Sequence, residues 1–328
     1  MQSDLRKVVV IGTGGTIAGA AADPQSHLGY VAGALGVAEL IAAVPSLHGL
    51  PLEADTLARM DSCDMDHATW ALLARLAAEH LARPDVAGVV VTHGTDTLEE
   101  TAYFLHRTLA AVKPVVLTAA MRPASALSAD GPQNLFDAIT VARCNGAAGV
   151  LAVLAGRIHA GADLRKVHGY QVDAFSSGDA ALVGLLEDGQ VRRLRPWPTA
   201  PLHRVTASAL GNAAAWPVVD IVTSHAGARA ATLDALVAAG AHGVVIAGTG
   251  NGSVHAELLA AARRAQARSV RVVRASRCLL GGVVAGRAEG PLDAATDALP
   301  SAGRLTPVQA RIELLLDLLA DGIGAAAG

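Results

Sequence analysis

Four short stretches of this chain, Lys7–Ile11, Val86–Val91, Val115–Thr118 and Gly149–Leu154, are almost uninterruptedly apolar and rich in valine. A strand with one wet face alternates apolar and polar residues, whereas an unbroken apolar run is buried on both faces. Between the runs the period changes. Behind Asp66, placed to cap a helix, Trp70, Leu73, Leu76 and Ala77 recur at helical spacing. Thr97-Leu-Glu-Glu100 reads as a capping box that opens a helix to about Ala111, and Pro132–Arg143 reads as a helix with proline in its first turn. Buried strands alternating with helices predict an α/β fold, a mainly parallel sheet covered on both sides.

After Gly156 the rhythm breaks. Leu182–Leu186, the Asp188-Gly189 turn and Val191–Leu194 read as a hairpin. The prolines 196, 198 and 201 then mark an extended connection. Alternation resumes with strands at Val218–Thr223, Gly243–Ala247 and Val270–Arg274, helices near Ala228–Ala239 and Ser253–Ala267, and a last helix opened by a second capping box, Thr306-Pro-Val-Gln309. With 328 residues the chain is long enough for about two domains. They are expected at residues 1–190 and 215–328, joined by a linker over 191–214, with no repeat at solenoid periods.

Composition excludes several classes. A net charge of −3 and 3% aromatic residues give neither the basic face nor the stacking platform of a nucleic-acid binder. No apolar stretch approaches the roughly 20 residues that span a bilayer. Cys63, Cys144 and Cys278 form no CxxC pair, so neither zinc site nor disulfide framework is expected, and a reducing compartment fits best. The start MQSDLRKVVV enters a strand without a leader-like segment. Taken as a complete chain, the sequence points to the cytoplasm.

In open α/β sheets ligands bind at the carboxyl ends of the strands. The first such loop, Gly12-Thr-Gly-Gly-Thr-Ile-Ala-Gly19, fails the dinucleotide fingerprint because Ile17 occupies the third glycine position, and it lacks the Gly-Lys-Ser/Thr of a phosphate loop. It offers two hydroxyls, Thr13 and Thr16; the plain alternative is a tight turn. Thr92-His-Gly-Thr-Asp-Thr97 follows a second strand. Thr97 suffices as helix cap, which leaves Thr95 and Asp96 spare, although an acid there also favours the helix dipole. His93 is read as a structural residue bonded within the turn. The only lysines are Lys7, Lys113 and Lys166, among 26 basic residues. Lys166 stands in the polar loop Gly161–Gly169, and an amine can give up a proton where arginine cannot. Threonine, lysine and aspartate together can form a hydroxyl–amine–carboxylate relay.

TGGTIAG (Thr13–Gly19), THGTDTLEETAYFL (Thr92–Leu105), AMRP (Ala120–Pro123) and SADGPQNL (Ser128–Leu135) together resemble the bacterial L-asparaginases. AGTGNGS (Ala247–Ser253) and LTPVQARIELL (Leu305–Leu315) carry the resemblance across the whole chain. It implies two α/β domains, the larger flavodoxin-like, and a homotetramer built as a dimer of dimers with sites between subunits. It further implies hydrolysis of the side-chain amide of L-asparagine, without metal or organic cofactor. By motif position it assigns Thr16 as nucleophile, Tyr30 as its activating neighbour, and Thr95, Asp96 and Lys166 as a second catalytic group. Ser62 and Asp96 would hold the substrate's α-carboxylate and α-amino groups, and Glu289 would be the acid supplied by the partner. N–H groups near Thr95 and Ala120 are candidate oxyanion donors. The sequence alone leaves open whether Thr16 or Thr95 attacks first; the resemblance favours Thr16.

Two departures from the family pattern stand out. Cys63 replaces a glutamine common after the substrate-binding serine, and Ser253 replaces an asparagine near the partner's acid. Loss of a hydrogen bond to a charged substrate group, roughly 1.5–3 kcal/mol, would make glutamine a poor substrate. Cys63 as nucleophile is disfavoured, since no base lies nearby in sequence. The acidic group Asp61, Asp64, Asp66 and His67 lacks calcium-loop spacing and is read as capping and loop chemistry. Trp70, Tyr103, Phe104 and Phe136 are assigned to the core. The competing functions are a broad glutaminase-asparaginase, an amidase acting on a glutamyl-tRNA intermediate, and a non-catalytic amino-acid-binding protein.

Overall fold

A computed structural model describes residues 6–20, 31–199, 202–284 and 299–324. The apolar runs become the centre of an eight-stranded sheet. Its strands are β1 (Lys7–Gly14), β2 (Leu52–Met60), β3 (Val86–Thr92), β4 (Pro114–Thr118), β5 (Gly149–Leu154) and β6 (Arg157–Ala160), and beyond the short pair β7 (Arg165–Lys166) and β8 (Phe175–Ser176) come β9 (Gly184–Glu187) and β10 (Gln190–Arg193). The order is β10-β9-β6-β5-β4-β3-β1-β2. From β2 to β5 all neighbours are parallel, and β6, β9 and β10 extend that sheet antiparallel. The parallel part therefore runs 2-1-3-4-5, the flavodoxin-like order, with its topological switch between β1 and β3.

Both faces are covered, as unbroken apolar strands require. On one face Val8, Val10, Val90, Val116 and Leu151 share a core with Val37 and Leu40 of helix α1 (Val37–Ala42) and with Leu135 and Ile139 of α4 (Gly131–Ala142). The alternate residues Val9, Ile11, Val89, Val91 and Leu117 are equally buried. They face α2 (His67–Ala82) and α3 (Leu98–Thr108), where Trp70 and Phe104 stack at 4.9 Å. Tyr103 is also buried, while Phe136 is only partly so and packs on the first core.

β2 and β6 were not apparent in the pattern. LEADTLARM is a charged, half-buried edge strand without an apolar run. β6 follows a two-residue hairpin at Ala155 and Gly156, both at positive φ (48° and 69°). The same turn at Asp188 (48°) and Gly189 (69°) is legible because Asp-Gly favours it; Ala-Gly is not a typical signal. α3 stops at Thr108, whose hydroxyl donates back to the Phe104 carbonyl at 2.8 Å, and not at Ala111.

The chain divides into one unit through Leu210 and another from Gly211. Residues 191–193, expected in the linker, belong to β10 of the large sheet. The second unit has the parallel strands β11 (Val219–Thr223), β12 (Gly243–Gly248) and β13 (Arg271–Ser276). α5 (Ala230–Ala238) and α6 (Ala256–Ala267) supply Leu233 and Leu258 to its core. α7 (Pro307–Ala320) begins with the expected capping box, in which Thr306 and Gln309 serve each other's backbone N–H. Among the described residues no helix is long and apolar enough to cross a membrane.

Candidate active site

The switch between β1 and β3 puts their two following loops side by side. Gly14 and Gly15, at φ 105° and 78°, turn the chain out of β1. A Cβ at Gly15 would lie 2.4 Å from both the Cα and the N of Gly94, so these two backbones press directly together. The Gly15 N–H donates to the Met60 carbonyl at 2.9 Å, which ties the loop to the end of β2. The Thr13 hydroxyl donates to the Thr92 carbonyl at 3.0 Å and is committed to joining the strand ends. Thr16 begins a short 3₁₀ turn and is 5% exposed.

In the second loop the Thr95 hydroxyl accepts a hydrogen bond from Lys166 Nζ at 2.9 Å. The same amine is bonded to the Asp96 carboxylate. β7 thus returns seventy residues later to place its lysine on this loop, and it is held there by pairing with β8. The Lys166 side chain is 16% exposed against 56% for Asp96, so the amine is shielded while its carboxylate partner meets solvent. The backbone N–H of Lys166 donates to the Glu99 carboxylate, and burial raises Glu99 from its ordinary 4.5 to about 7.

Ser62, buried at the end of β2, joins the two loops to a third. Its hydroxyl accepts the Asp96 N–H at 3.2 Å, and its carbonyl accepts the Thr97 hydroxyl at 2.7 Å. That second bond overturns the expected capping box: Thr97 stands at the N-cap, but its hydroxyl makes no bond to the helix. A tertiary acceptor at Ser62 has taken the side chain that the local pattern assigned to α3. Asp66 does cap α2, accepting the Thr69 N–H at 2.7 Å. Cys63 is exposed, and desolvation together with the carboxylates of Asp61, Asp64 and Asp96 pushes its thiol above the ordinary value. It is thereby a poor thiolate nucleophile.

Ala120 follows β4 and is fully buried. Asp130 accepts the backbone N–H groups of Met121 and Arg122, each at 2.9 Å, and Asn134 bonds the Ala119 carbonyl and the Ala155 N–H. A Cβ on Gly131 would meet Ile17 at 3.0 Å and Ala120 at 3.4 Å, so the loops after β1 and β4 also touch. Asp130 and Asn134 stand in the SADGPQNL motif, but their tethering role has no local signal. His93 is bonded within the turn as read, donating from Nδ1 to the Gly94 carbonyl at 2.7 Å.

The first unit therefore gathers Thr16, Ser62, Cys63, Thr95, Asp96, Ala120 and Lys166 at one end of its sheet. Ser253 lies in the second unit, where it is exposed and exchanges both backbone hydrogen bonds with Thr249. Tyr30 and Glu289 lie outside the described residues. Among the described residues no cluster of three or more His, Cys, Asp or Glu side chains could hold a metal ion. The sequence does not single out Glu99, which meets the backbone N–H of Lys166, or Thr101, whose hydroxyl meets His93; a polar threonine on the buried face of α3 was the available signal for the latter.

A hydroxyl, an amine and a carboxylate in hydrogen-bonded series is equipment for acyl transfer. Residues 7–198 match the family model "Asparaginase, N-terminal", and residues 218–323 match "Glutaminase/Asparaginase C-terminal domain". The chain belongs to the asparaginase family. It is 37% identical to L-asparaginase 2 of Bacillus subtilis (strain 168) over 320 residues, covering 97% of this chain and 84% of that protein. It is 35% identical to the glutaminase-asparaginase of Pseudomonas fluorescens biotype A, covering 89% of this chain and 81% of the relative. A crystal structure of a probable cytoplasmic L-asparaginase from Campylobacter jejuni superimposes with a TM-score of 0.85 at 35% identity, over 96% of this chain and 95% of that one.

Proposed function

We propose that this protein hydrolyses the side-chain amide of L-asparagine to L-aspartate and ammonia, with Thr16 as nucleophile. The observation that carries the reading is the Lys166 amine bonded at once to the Thr95 hydroxyl and the Asp96 carboxylate. The Thr16 oxygen attacks the amide carbon and passes its proton, by way of the hydroxyl of its activating neighbour Tyr30, to the amide nitrogen. The oxygen that gains charge is met by N–H groups near Thr95 and Ala120. Collapse breaks the carbon–nitrogen bond, expels the protonated nitrogen as ammonia and leaves an ester to Thr16. Water then gives one proton to the Thr95–Lys166–Asp96 group and attacks the ester; a proton returns to the Thr16 oxygen as its bond to the acyl carbon breaks, which releases aspartate and restores the threonine.

Ser62 and Asp96 hold the α-substituents of the substrate in this reading, which also takes Ser253 and Glu289 as substrate-binding residues and the assembly as a homotetramer. Similarity to the Campylobacter jejuni protein favours a cytoplasmic location. Short, thiol-bearing Cys63 reaches the α-substituents less well than an amide would, and so favours asparagine over the longer glutamine. Ammonia release from each amino acid is the test, with Thr16→Ala as control. Asparagine turnover that vanishes in the variant supports the reading. A covalent adduct trapped on Thr95 and absent from Thr16 reverses the order of attack, and equal specificity constants for the two amides point to the glutaminase-asparaginase alternative.

A further inference from the structure

The loop that carries Thr95 is anchored from behind by a buried chain of three side chains. The Trp70 indole N–H donates to the Thr101 hydroxyl at 2.9 Å, that hydroxyl meets His93 Nε2 at 2.9 Å, and His93 Nδ1 meets the Gly94 carbonyl at 2.7 Å. Trp70 is 3% exposed, and Thr101 and His93 are fully buried. With His93 neutral, the two ends determine every proton between them. An indole nitrogen can only donate and a carbonyl can only accept. His93 must therefore carry its proton on Nδ1, its Nε2 lone pair must accept from Thr101, and Thr101 must accept from Trp70. Burial holds His93 down at about 4, so the imidazole is neutral near pH 7, as this arrangement requires.

The chain ends on the peptide that begins Thr95. Its Gly94 must be glycine, because a Cβ there would lie 2.4 Å from Ser62 Oγ. Glycine is also the residue with the loosest backbone, so this peptide needs an external lock. A peptide is planar, and with no cis bond among the described residues the Gly94 carbonyl and the Thr95 N–H point in opposite directions. Fixing the carbonyl on the imidazole therefore fixes where the N–H points. The donors in series also polarise one another toward the same peptide.

We propose that Trp70, Thr101 and His93 are positioning residues whose relay aims the Thr95 N–H at the oxygen of the scissile amide. The proposal rests on the amidohydrolase reading of the site. The plain alternative is that the chain only satisfies buried polar groups, which a core requires in any case.

Thr101→Val keeps the shape and removes the hydroxyl, whereas Thr101→Ser keeps the hydroxyl. Trp70→Phe removes the indole N–H and keeps an aromatic ring against Phe104, and serves if the valine variant does not fold. With 15N-histidine labelling, wild type and Thr101→Ser are expected to show His93 protonated on Nδ1 with a hydrogen-bonded Nε2, and Thr101→Val to keep the Nδ1 proton while its Nε2 signal moves to that of an unbonded lone pair. Removing an oxyanion donor outright costs 10²–10³ in kcat, so misaiming one is expected to cost about tenfold, with KM within about twofold. Thr101→Ser should recover most of the loss. A folded Thr101→Val enzyme with wild-type kcat would overturn the proposal, as would wild-type His93 protonated on Nε2. Absence of ammonia release by the wild type would instead sink the functional reading, and the histidine spectrum would still decide the geometry of the relay.

Discussion

Replacing Lys166 with arginine keeps a positive charge beside Asp96 and removes a group that can accept a proton. The structure separates the two consequences. The Lys166–Asp96 pair has a half-exposed carboxylate, 56% accessible, and exposed pairs contribute about 0.2–1 kcal/mol. Even its complete loss would lower Tm by no more than about 4 °C in a chain of this size. Proton transfer by a positioned side chain contributes about 10²–10⁴ in rate, or roughly 3–5 kcal/mol of barrier. The amine stands 2.9 Å from the Thr95 hydroxyl, within reach of the proton it is asked to move. Lys166→Arg is therefore expected to lose two to four decades of kcat for asparagine while melting near the wild-type temperature. Lys166→Met provides the comparison, because it removes charge and base together and should lose a similar amount. Ammonia release at saturating substrate reads the first effect and thermal unfolding the second. Turnover by Lys166→Arg within about threefold of wild type would show that Lys166 is not a proton acceptor, and an arginine variant far more active than the methionine one would leave it only an electrostatic role.

Other consequences follow from the same contacts. Gly15→Ala places a Cβ 2.4 Å from the Gly94 backbone at φ 78°; it should abolish turnover and cost about 1–3 kcal/mol or more, read by kcat and denaturant unfolding, and near-normal activity would refute the close approach of the two loops. Cys63→Gln is expected to raise kcat/KM for glutamine relative to asparagine; an unchanged ratio would remove Cys63 from specificity. Burial raises Glu99 to about 7, above its ordinary 4.5, so its charged form is disfavoured in the fold and stability should decline as pH rises from 4.5 through 7, by at most about 3 kcal/mol. Glu99→Gln should flatten that slope. On the acid side, burial lowers His93 and His159 to about 4, so stability present above 6.5 should be lost as pH falls toward 4, with uptake of close to two protons on unfolding.

The sequence by itself determined what depends on neighbours along the chain. Unbroken valine runs made the central strands buried and parallel, Asp188-Gly189 marked a hairpin, and Thr306-Pro-Val-Gln309 made the cap it spells. It also singled out the loops at the strand ends, because the topology of an open sheet puts binding there whatever the side chains. What only the tertiary structure decided are bonds between residues far apart in sequence. The Thr97 hydroxyl, locally a helix cap, turned to the Ser62 carbonyl thirty-five positions away. Thr13 and Thr16 look alike in one loop, but the first is committed to the Thr92 carbonyl across the strand ends. Lys166 found Thr95 and Asp96 across seventy residues, and His93 reached through Thr101 to Trp70 on another helix. No period or propensity encodes such pairs. A hydrogen bond selects its partner by distance and direction, and those exist only once the sheet has set the loops side by side.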